Sequence, residues 1–187
     1  MKSFQLGIQG TTALLMNHPG ASVEWGRRAS KGRLTPAEQA EAVACRLPDG
    51  QLYLPAEALF RAAIEAAGTI MLKRVVAAGL MFRDAALPFT PRIEAYQLDE
   101  RSVVLPNTGM RAMRYRPRLD EWAIETTVDV DDVILEPDSC RRIVEVAGRQ
   151  KGVGDYRPGR GGPYGRFVVM EWTLLTAPAT ARQHAVC

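Results

Sequence analysis

One stretch near the end of the chain limits the possible fold most strongly. Residues 151–167, KGVGDYRPGRGGPYGRF, contain six of the sixteen glycines of the protein together with two prolines. Glycine is costly inside helices and strands, and proline removes a backbone donor, so neither a continuous helix nor a long paired strand fits this segment. The glycine-rich segment, as we call residues 151–167, is therefore predicted to be a loop. A loop of this length in a compact domain usually has a function.

Composition is typical of a globular intracellular protein. The chain has 187 residues, of which 47% are hydrophobic and 24% charged, enough for the core of one domain. It has no run of about eighteen apolar residues and no apolar signal region in MKSFQLGIQG, so we expect neither membrane insertion nor secretion. Cys45, Cys140 and Cys187 form no CxxC pair, which argues against a disulfide framework and a zinc site. We expect a cytoplasmic protein without a cofactor.

Arginine dominates the positive charge. Of the 24 basic residues only four are lysine and the other 20 are arginine, the side chain that binds phosphate bidentately and stacks on bases. Residues 111–118, RAMRYRPR, contain four arginines and no acid. The glycine-rich segment carries one lysine and three arginines against a single aspartate. This distribution favours a nucleic-acid partner.

Local patterns predict short strands and helices. Alternation of apolar and polar residues indicates strands, whereas apolar stripes with capping residues indicate helices. In the first half we predict a strand over 3–9, an irregular insertion over 19–34, a helix from the capping box at Thr35 to Ala44, a hairpin turn at Asp49 and Gly50, a helix over 56–67, a short helix to Ala78 and a strand over 80–83. In the second half we predict strands over 92–98, 101–106, 110–116 and 121–130, a helix over 138–149 capped by Asp138, and a strand over 166–173.

With insertions set aside, the order is strand, helix, strand, strand, helix, strand. This is the split βαββαβ arrangement of the α+β, ferredoxin-like or RRM-like class, an antiparallel sheet with helices on one face. We expect a single domain over 1–187, with residues 17–52 inserted in the first connection between strand and helix. Strands 3–9, 121–130 and 166–173 should share one sheet, and its other face should stay open. Nucleic-acid modules of this shape use the open face and adjoining loops.

Two motifs add a family resemblance. LYLPAEALFRAAIEAA, at 52–67, is similar to the segment of the RAMP superfamily of CRISPR effector complexes in which a proline and small polar residues open the first helix. GVGDYRPGRGGPYGRF, at 152–167, occupies the position of that family's glycine-rich loop. The overall form, including YRPRLDEW at 115–122, also resembles short proteins of phages and prophages. The resemblance implies a backbone-like subunit that binds RNA and assembles head-to-tail along it. The family's backbone subunits are usually longer, and no clear catalytic aspartate follows the first strand, so cleavage of target RNA is not implied.

Cationic and aromatic residues are the candidate contacts for a single strand. Amides in glycine-rich turns bind phosphate oxygens, arginines neutralise phosphates, and aromatic rings stack on bases. The candidates are Lys151, Tyr156, Arg157, Arg160, Tyr164 and Arg166 in the glycine-rich segment, Arg114, Arg116 and Arg118 in the second patch, and Trp25, Arg27 and Arg28 in the insertion. The alternatives are a plain surface connection for the segment, a solvated sheet face for the arginine row and an ordinary surface loop for the insertion.

Catalysis and metal binding have weaker signals. His18 follows the first strand, where repeat-processing RAMP nucleases can carry a catalytic histidine, and is a weak catalytic candidate. Asp129, Asp131 and Asp132 suggest a metal site, but three acids at a strand end more often form a solvated turn. We expect a non-enzymatic protein that binds single-stranded RNA rather than DNA, as a homo-oligomer or in a larger ribonucleoprotein, and not a membrane. The alternatives are an RNA-processing endoribonuclease using His18, or a phage structural or interaction protein that retains the fold.

Overall fold

The computed structural model describes residues 1–18, 34–68, 70–104 and 109–175. In chain order the elements are β1 (Lys2–Gly10), β2 (Leu14–Leu15), α1 (Pro36–Val43), β3 (Tyr53–Pro55), α2 (Ala56–Ala67), α3 (Lys73–Gly79), β4 (Leu80–Phe82), β5 (Ala86–Pro88), β6 (Gln97–Val104), β7 (Arg111–Leu119), β8 (Ala123–Val130), α4 (Pro137–Val146), a π-helical turn (Ala147–Lys151), a 3-10 turn (Pro158–Arg160) and β9 (Phe167–Leu175). Helices and antiparallel sheets both contribute, which confirms the α+β class.

The main sheet has four strands in the order β4, β8, β1, β9, and every neighbouring pair is antiparallel. The three strands predicted over 3–9, 121–130 and 166–173 therefore lie side by side in this sheet, as expected. A second sheet contains β2, β7 and β6, and β3 pairs with β5 in a short ribbon. Because β2 follows β1 directly in the chain, the end of β1 leads into the second sheet.

One face of the main sheet forms the core. Phe4, Leu6 and Ile8 of β1 are buried and lie opposite Val128, Thr126 and Ile124 of β8. Helices α2 and α4 contact each other, and their buried residues join the same apolar cluster. Burial of a side chain the size of Leu59, which is fully inaccessible, contributes about 1.5–3 kcal/mol. The apolar alternation of β1 and β8 thus places both helices over one side of the sheet.

Helix starts show one correct prediction and one wrong one. The capping box of α1 is confirmed, because Thr35 accepts the Glu38 backbone N–H (3.3 Å) and donates its own backbone N–H to the Glu38 carboxylate (2.7 Å). Asp138 was predicted to cap α4, which is wrong. The cap is Glu136, whose carboxylate accepts the backbone N–H of Asp138 at 3.1 Å. Pro137, which has no N–H and a suitable fixed φ, takes the first helical position, so the cap lies two residues earlier than predicted, at Glu136.

The two strands predicted over 92–98 and 101–106 are replaced by the single strand β6. The segment before β6 contacts the turn between residues 46 and 52, where Arg92 forms an ion pair of 2.8 Å with Asp49. Residues 19–33, most of the predicted insertion, lie outside the described residues.

Candidate nucleic-acid interface

The glycine-rich segment is fastened to the chain that follows β1. The backbone N–H of Asp155 donates to the Leu15 carbonyl (2.8 Å), and that of Gly165 donates to the Ala13 carbonyl (2.8 Å). Within the segment, the N–H of Val153 donates to the Gly165 carbonyl (2.9 Å). Both ends of the loop are therefore held at defined positions beside β2.

Several glycines of this segment are required by close backbone contacts. A Cβ atom on Gly165 would lie 1.8 Å from the Val153 carbonyl oxygen, and one on Gly162 would lie 1.8 Å from that of Tyr156. Gly165 also has a φ of +71°, which side-chain-bearing residues rarely adopt. The glycines thus allow one part of the loop to pack against another, and the loop is compact because of them.

A guanidinium group joins this loop to the hairpin of β6 and β7. Arg101 lies over the rings of Tyr156 and Tyr164, with its central carbon 5.3 Å and 4.8 Å from the two centroids, and donates to the Tyr164 hydroxyl at 2.9 Å. It also forms a bidentate pair with the buried carboxylate of Asp99. The hydrogen bonds that Arg101 donates to Asp99, and secondarily the one to the Tyr164 hydroxyl, raise the pKa of Arg101. Each cation–π contact of this type contributes about 0.5–1 kcal/mol.

Arg101 was not among the predicted contacts. The only local signal for it was an aspartate two residues earlier, between the two strands predicted over 92–98 and 101–106. Its partner Tyr156 is 44% exposed and has a φ of +48°, a conformation that persists in a non-glycine residue only where the surroundings fix it. Arg101 thus helps to present the exposed aromatic ring of Tyr156 in a defined position.

The predicted arginine row lies on the same side of the molecule. Arg114, Arg116 and Arg118 alternate along β7 and face Arg101, Asp99 and Gln97 across the hairpin, and we call these six residues the arginine face. Arg101 and Arg114 are directly opposite, an arrangement that repels unless a counter-charge is present, and Asp99 supplies that charge.

The arginine face and the glycine-rich segment meet through a second ion pair. Arg116 contacts the Asp155 carboxylate at 2.5 Å, and Arg118 contacts Asp120 at 2.7 Å. The structure therefore brings together two patches that are about forty residues apart in the sequence.

The cations of the glycine-rich segment differ in their surroundings. Arg157 is only 12% exposed and forms an ion pair of 2.9 Å with Glu65 on α2, so it mainly holds the loop to that helix. Arg166 is exposed and donates to the carbonyl of Arg149, and Lys151 is half-buried. Arg160 is exposed and forms no ion pair with any described residue. Trp25, Arg27 and Arg28 lie outside the described residues.

The open face of the main sheet has the opposite charge. Glu125 and Glu171 flank Gly7 on this face and are exposed. Asp129 is on the same face, and Arg83 binds it at 2.8 Å. Carboxylates repel phosphate, so the loop side of the molecule is electrostatically better suited to a nucleic acid than the open sheet face.

No protein-family model matches this chain, and no curated protein matches it. In the part of the chain that the structure describes, no helix is long and apolar enough to cross a membrane. What the protein does is therefore inferred from the charge and geometry of the interface above.

The candidate catalytic and metal residues lie elsewhere. His18 borders a cavity of about 310 Å³ together with Glu41, Arg46 and Tyr53. Asp132 binds the N-terminal ammonium group at 2.7 Å. Within residues 1–18, 34–68, 70–104 and 109–175, no group of three histidine, cysteine or acidic side chains is arranged to hold a metal ion.

Proposed function

We propose that the protein binds single-stranded nucleic acid, RNA in preference to DNA, on the arginine face and the glycine-rich segment. The observation that supports this most is that the two patches form one surface, joined by Arg101 and by the pair of Arg116 with Asp155. Arginines track a phosphate backbone, and the exposed ring of Tyr156 can stack on a base. The preference for RNA follows from the resemblance to RAMP proteins.

The strand order supports a ferredoxin-like, RAMP-like relationship, which we include in the proposal. Helix α2 lies between β1 and β4 in the chain and α4 lies between β8 and β9, and the sheet order β9, β1, β8, β4 supports a βαββαβ unit. A cytoplasmic location and assembly as a homo-oligomer or within a larger ribonucleoprotein follow from the same relationship.

The test is a salt titration of affinity. Each phosphate contact on a single strand contributes about 0.7 to the slope of log K against log salt. Arg160→Ala should lower the slope by about 0.7 without changing stability, because this side chain is exposed. Arg157→Ala should lower the stability of the fold and change the salt slope little, because Arg157 is paired with Glu65. Fluorescence anisotropy with an unstructured RNA and with the equivalent DNA measures the affinity of each variant over the range of salt concentrations.

Arg141→Ala is the matched control. It removes the same charge from α4, where Arg141 pairs with Glu145 at 3.0 Å, and should leave the slope unchanged. Equal slopes for Arg160→Ala and the wild type, or no binding of either nucleic acid, would refute the proposal.

The surroundings of His18 favour a second candidate, RNA processing. Arg46 holds the Glu41 carboxylate and lowers its pKa, and burial raises the pKa of Tyr53. The cavity thus combines a histidine, the residue type most often used in general acid–base catalysis, with a carboxylate and a phenol. The candidate predicts metal-free cleavage of RNA that His18→Ala abolishes, and intact RNA after prolonged incubation with the wild type would exclude it.

A further inference from the structure

A cavity adjoins the proposed binding surface. It has a volume of about 230 Å³ and lies between β2, the start of α2 and the glycine-rich segment. Asp155 links the two sites, since it lines the cavity and its carboxylate contacts Arg116 of the arginine face. Leu15, a second lining residue, lies opposite Arg118 in the pairing of β2 with β7. The cavity therefore shares Asp155 with the arginine face.

The walls of the cavity are apolar and its rim is charged. Leu15, Met16, Leu54 and Ala58 form apolar walls. The polar lining consists of Asn17, Glu57, Arg61, Asp155 and Arg157.

Two of the charged residues are held by ion pairs with the rest of the molecule, and the other two are exposed at the entrance. Asp155 is held by Arg116, and Arg157 is held by Glu65. Glu57 and Arg61 form an i,i+4 pair that is more than half exposed, so both side chains can reorient at the entrance at little cost.

We infer that this cavity receives one base of the bound strand, and that it prefers a base with an exocyclic amino group. The inference rests on the proposed function. A base has two apolar faces and a polar edge, which matches apolar walls with a charged rim. Drug-sized ligands need roughly 300–1,000 Å³, so a cavity of about 230 Å³ suits a single heterocycle better than a whole nucleotide.

The preference for an amino group follows from the carboxylate of Glu57. Asp and Glu accept hydrogen bonds from an amino group such as that of cytosine, whereas uracil presents a carbonyl oxygen at the same position. Glu57 supplies such an acceptor, because Arg61 binds only one of its two carboxylate oxygens, and Arg157 lines the same cavity with a guanidinium group that can donate to the neighbouring ring nitrogen or carbonyl. A well-placed pair of this kind discriminates between bases by about 1–3 kcal/mol, or roughly 5-fold to 150-fold in affinity.

The experiment compares oligocytidine with oligouridine, each of roughly 12 nucleotides, a length within the range that single modules cover. The wild-type chain should bind oligocytidine at least about 5-fold more tightly. Ala58→Leu should abolish this difference by filling the cavity and should keep the salt slope, because the arginine face is intact. Ala78→Leu, at an exposed position of α3, is the matched control and should behave as the wild type.

The outcomes separate the two proposals. If neither oligonucleotide binds, the proposed function fails. If both bind equally to the wild type, or if Ala58→Leu retains the preference while circular dichroism shows it folded, only the base cavity is refuted. Glu57→Gln, at an exposed position, is the second variant if Ala58→Leu does not fold, and it should reduce the preference for oligocytidine. An unchanged preference in Glu57→Gln would also overturn the inference.

Discussion

Two glycines of the glycine-rich segment allow a matched test of why the segment is rich in glycine. Gly161 and Gly165 both have a positive φ, of +76° and +71°, so an alanine at either position costs about 1–2 kcal/mol of backbone strain. A Cβ atom on Gly161 would meet nothing within 4 Å, whereas one on Gly165 would lie 1.8 Å from the Val153 carbonyl oxygen. The pair therefore separates the cost of conformation from the cost of contact.

The free-energy cost of the close contact in Gly165→Ala depends on the hydrogen bonds that the new methyl group would disturb. Moving the Val153 carbonyl aside disturbs the bond from the Val153 N–H to Gly165 (2.9 Å) and the bond from the Gly165 N–H to Ala13 (2.8 Å), each worth about 1 kcal/mol. Overpacking adds about 1–3 kcal/mol. With backbone strain, the total for Gly165→Ala is about 4–7 kcal/mol, against about 1–2 kcal/mol for Gly161→Ala.

Thermal denaturation followed by circular dichroism measures the difference. For a chain of this size, 1 kcal/mol shifts the Tm by about 2–4 °C. Gly161→Ala should therefore lower the Tm by roughly 2–8 °C and Gly165→Ala by roughly 8–28 °C. Equal shifts for the two variants would show that the contacts of the segment are not as described and that its glycines serve conformation alone.

Two further predictions concern titratable groups. The hydrogen bond from Arg83 is the largest cause that lowers the pKa of Asp129, so the stabilisation is present above the unfolded pKa of about 3.9 and is lost as the pH falls through the lower folded pKa. The difference in unfolding free energy between the wild type and Asp129→Asn, measured in urea, should shrink as the pH falls below about 4, and a constant difference would contradict the pairing. Burial raises the pKa of Cys45 and Cys140 to about 12, so in a Cys187→Ser variant a thiol reagent at mildly alkaline pH should label neither cysteine until the protein unfolds. Rapid labelling of the folded variant would show that one of these thiols is accessible.

Elements with strong local signals were predictable from the sequence. The capping box of Thr35 and Glu38 needs only neighbouring residues, and the alternation of β8 shows its buried face directly. The cap of α4 was mispredicted because Asp138 is a better capping residue type than Glu136, and the effect of Pro137 on the register was overlooked.

The candidate site was predictable in composition but not in arrangement. Tyr156 and Tyr164 could be nominated, but not Arg101, because the bond of Arg101 to Tyr164 joins residues 63 positions apart and depends on the pairing of β6 with β7. The burial of Arg157 could not be predicted from the sequence either, since only the fold brings Glu65 next to Arg157. Glycine content predicts a loop, but the same content is compatible with a flexible loop and with tight backbone packing.

The attachment of the glycine-rich segment has a consequence for the order in which the molecule is made. Ala13 and Leu15 are synthesised well before Gly165 and Asp155, whose backbone N–H groups donate hydrogen bonds to their carbonyls. Contacts over so long a separation carry a large loop-closure cost and form only after intervening elements have folded. A nascent chain that stops before residue 155 therefore lacks the proposed interface, and the proposed binding of a strand has to wait until residues 155–165 have been synthesised.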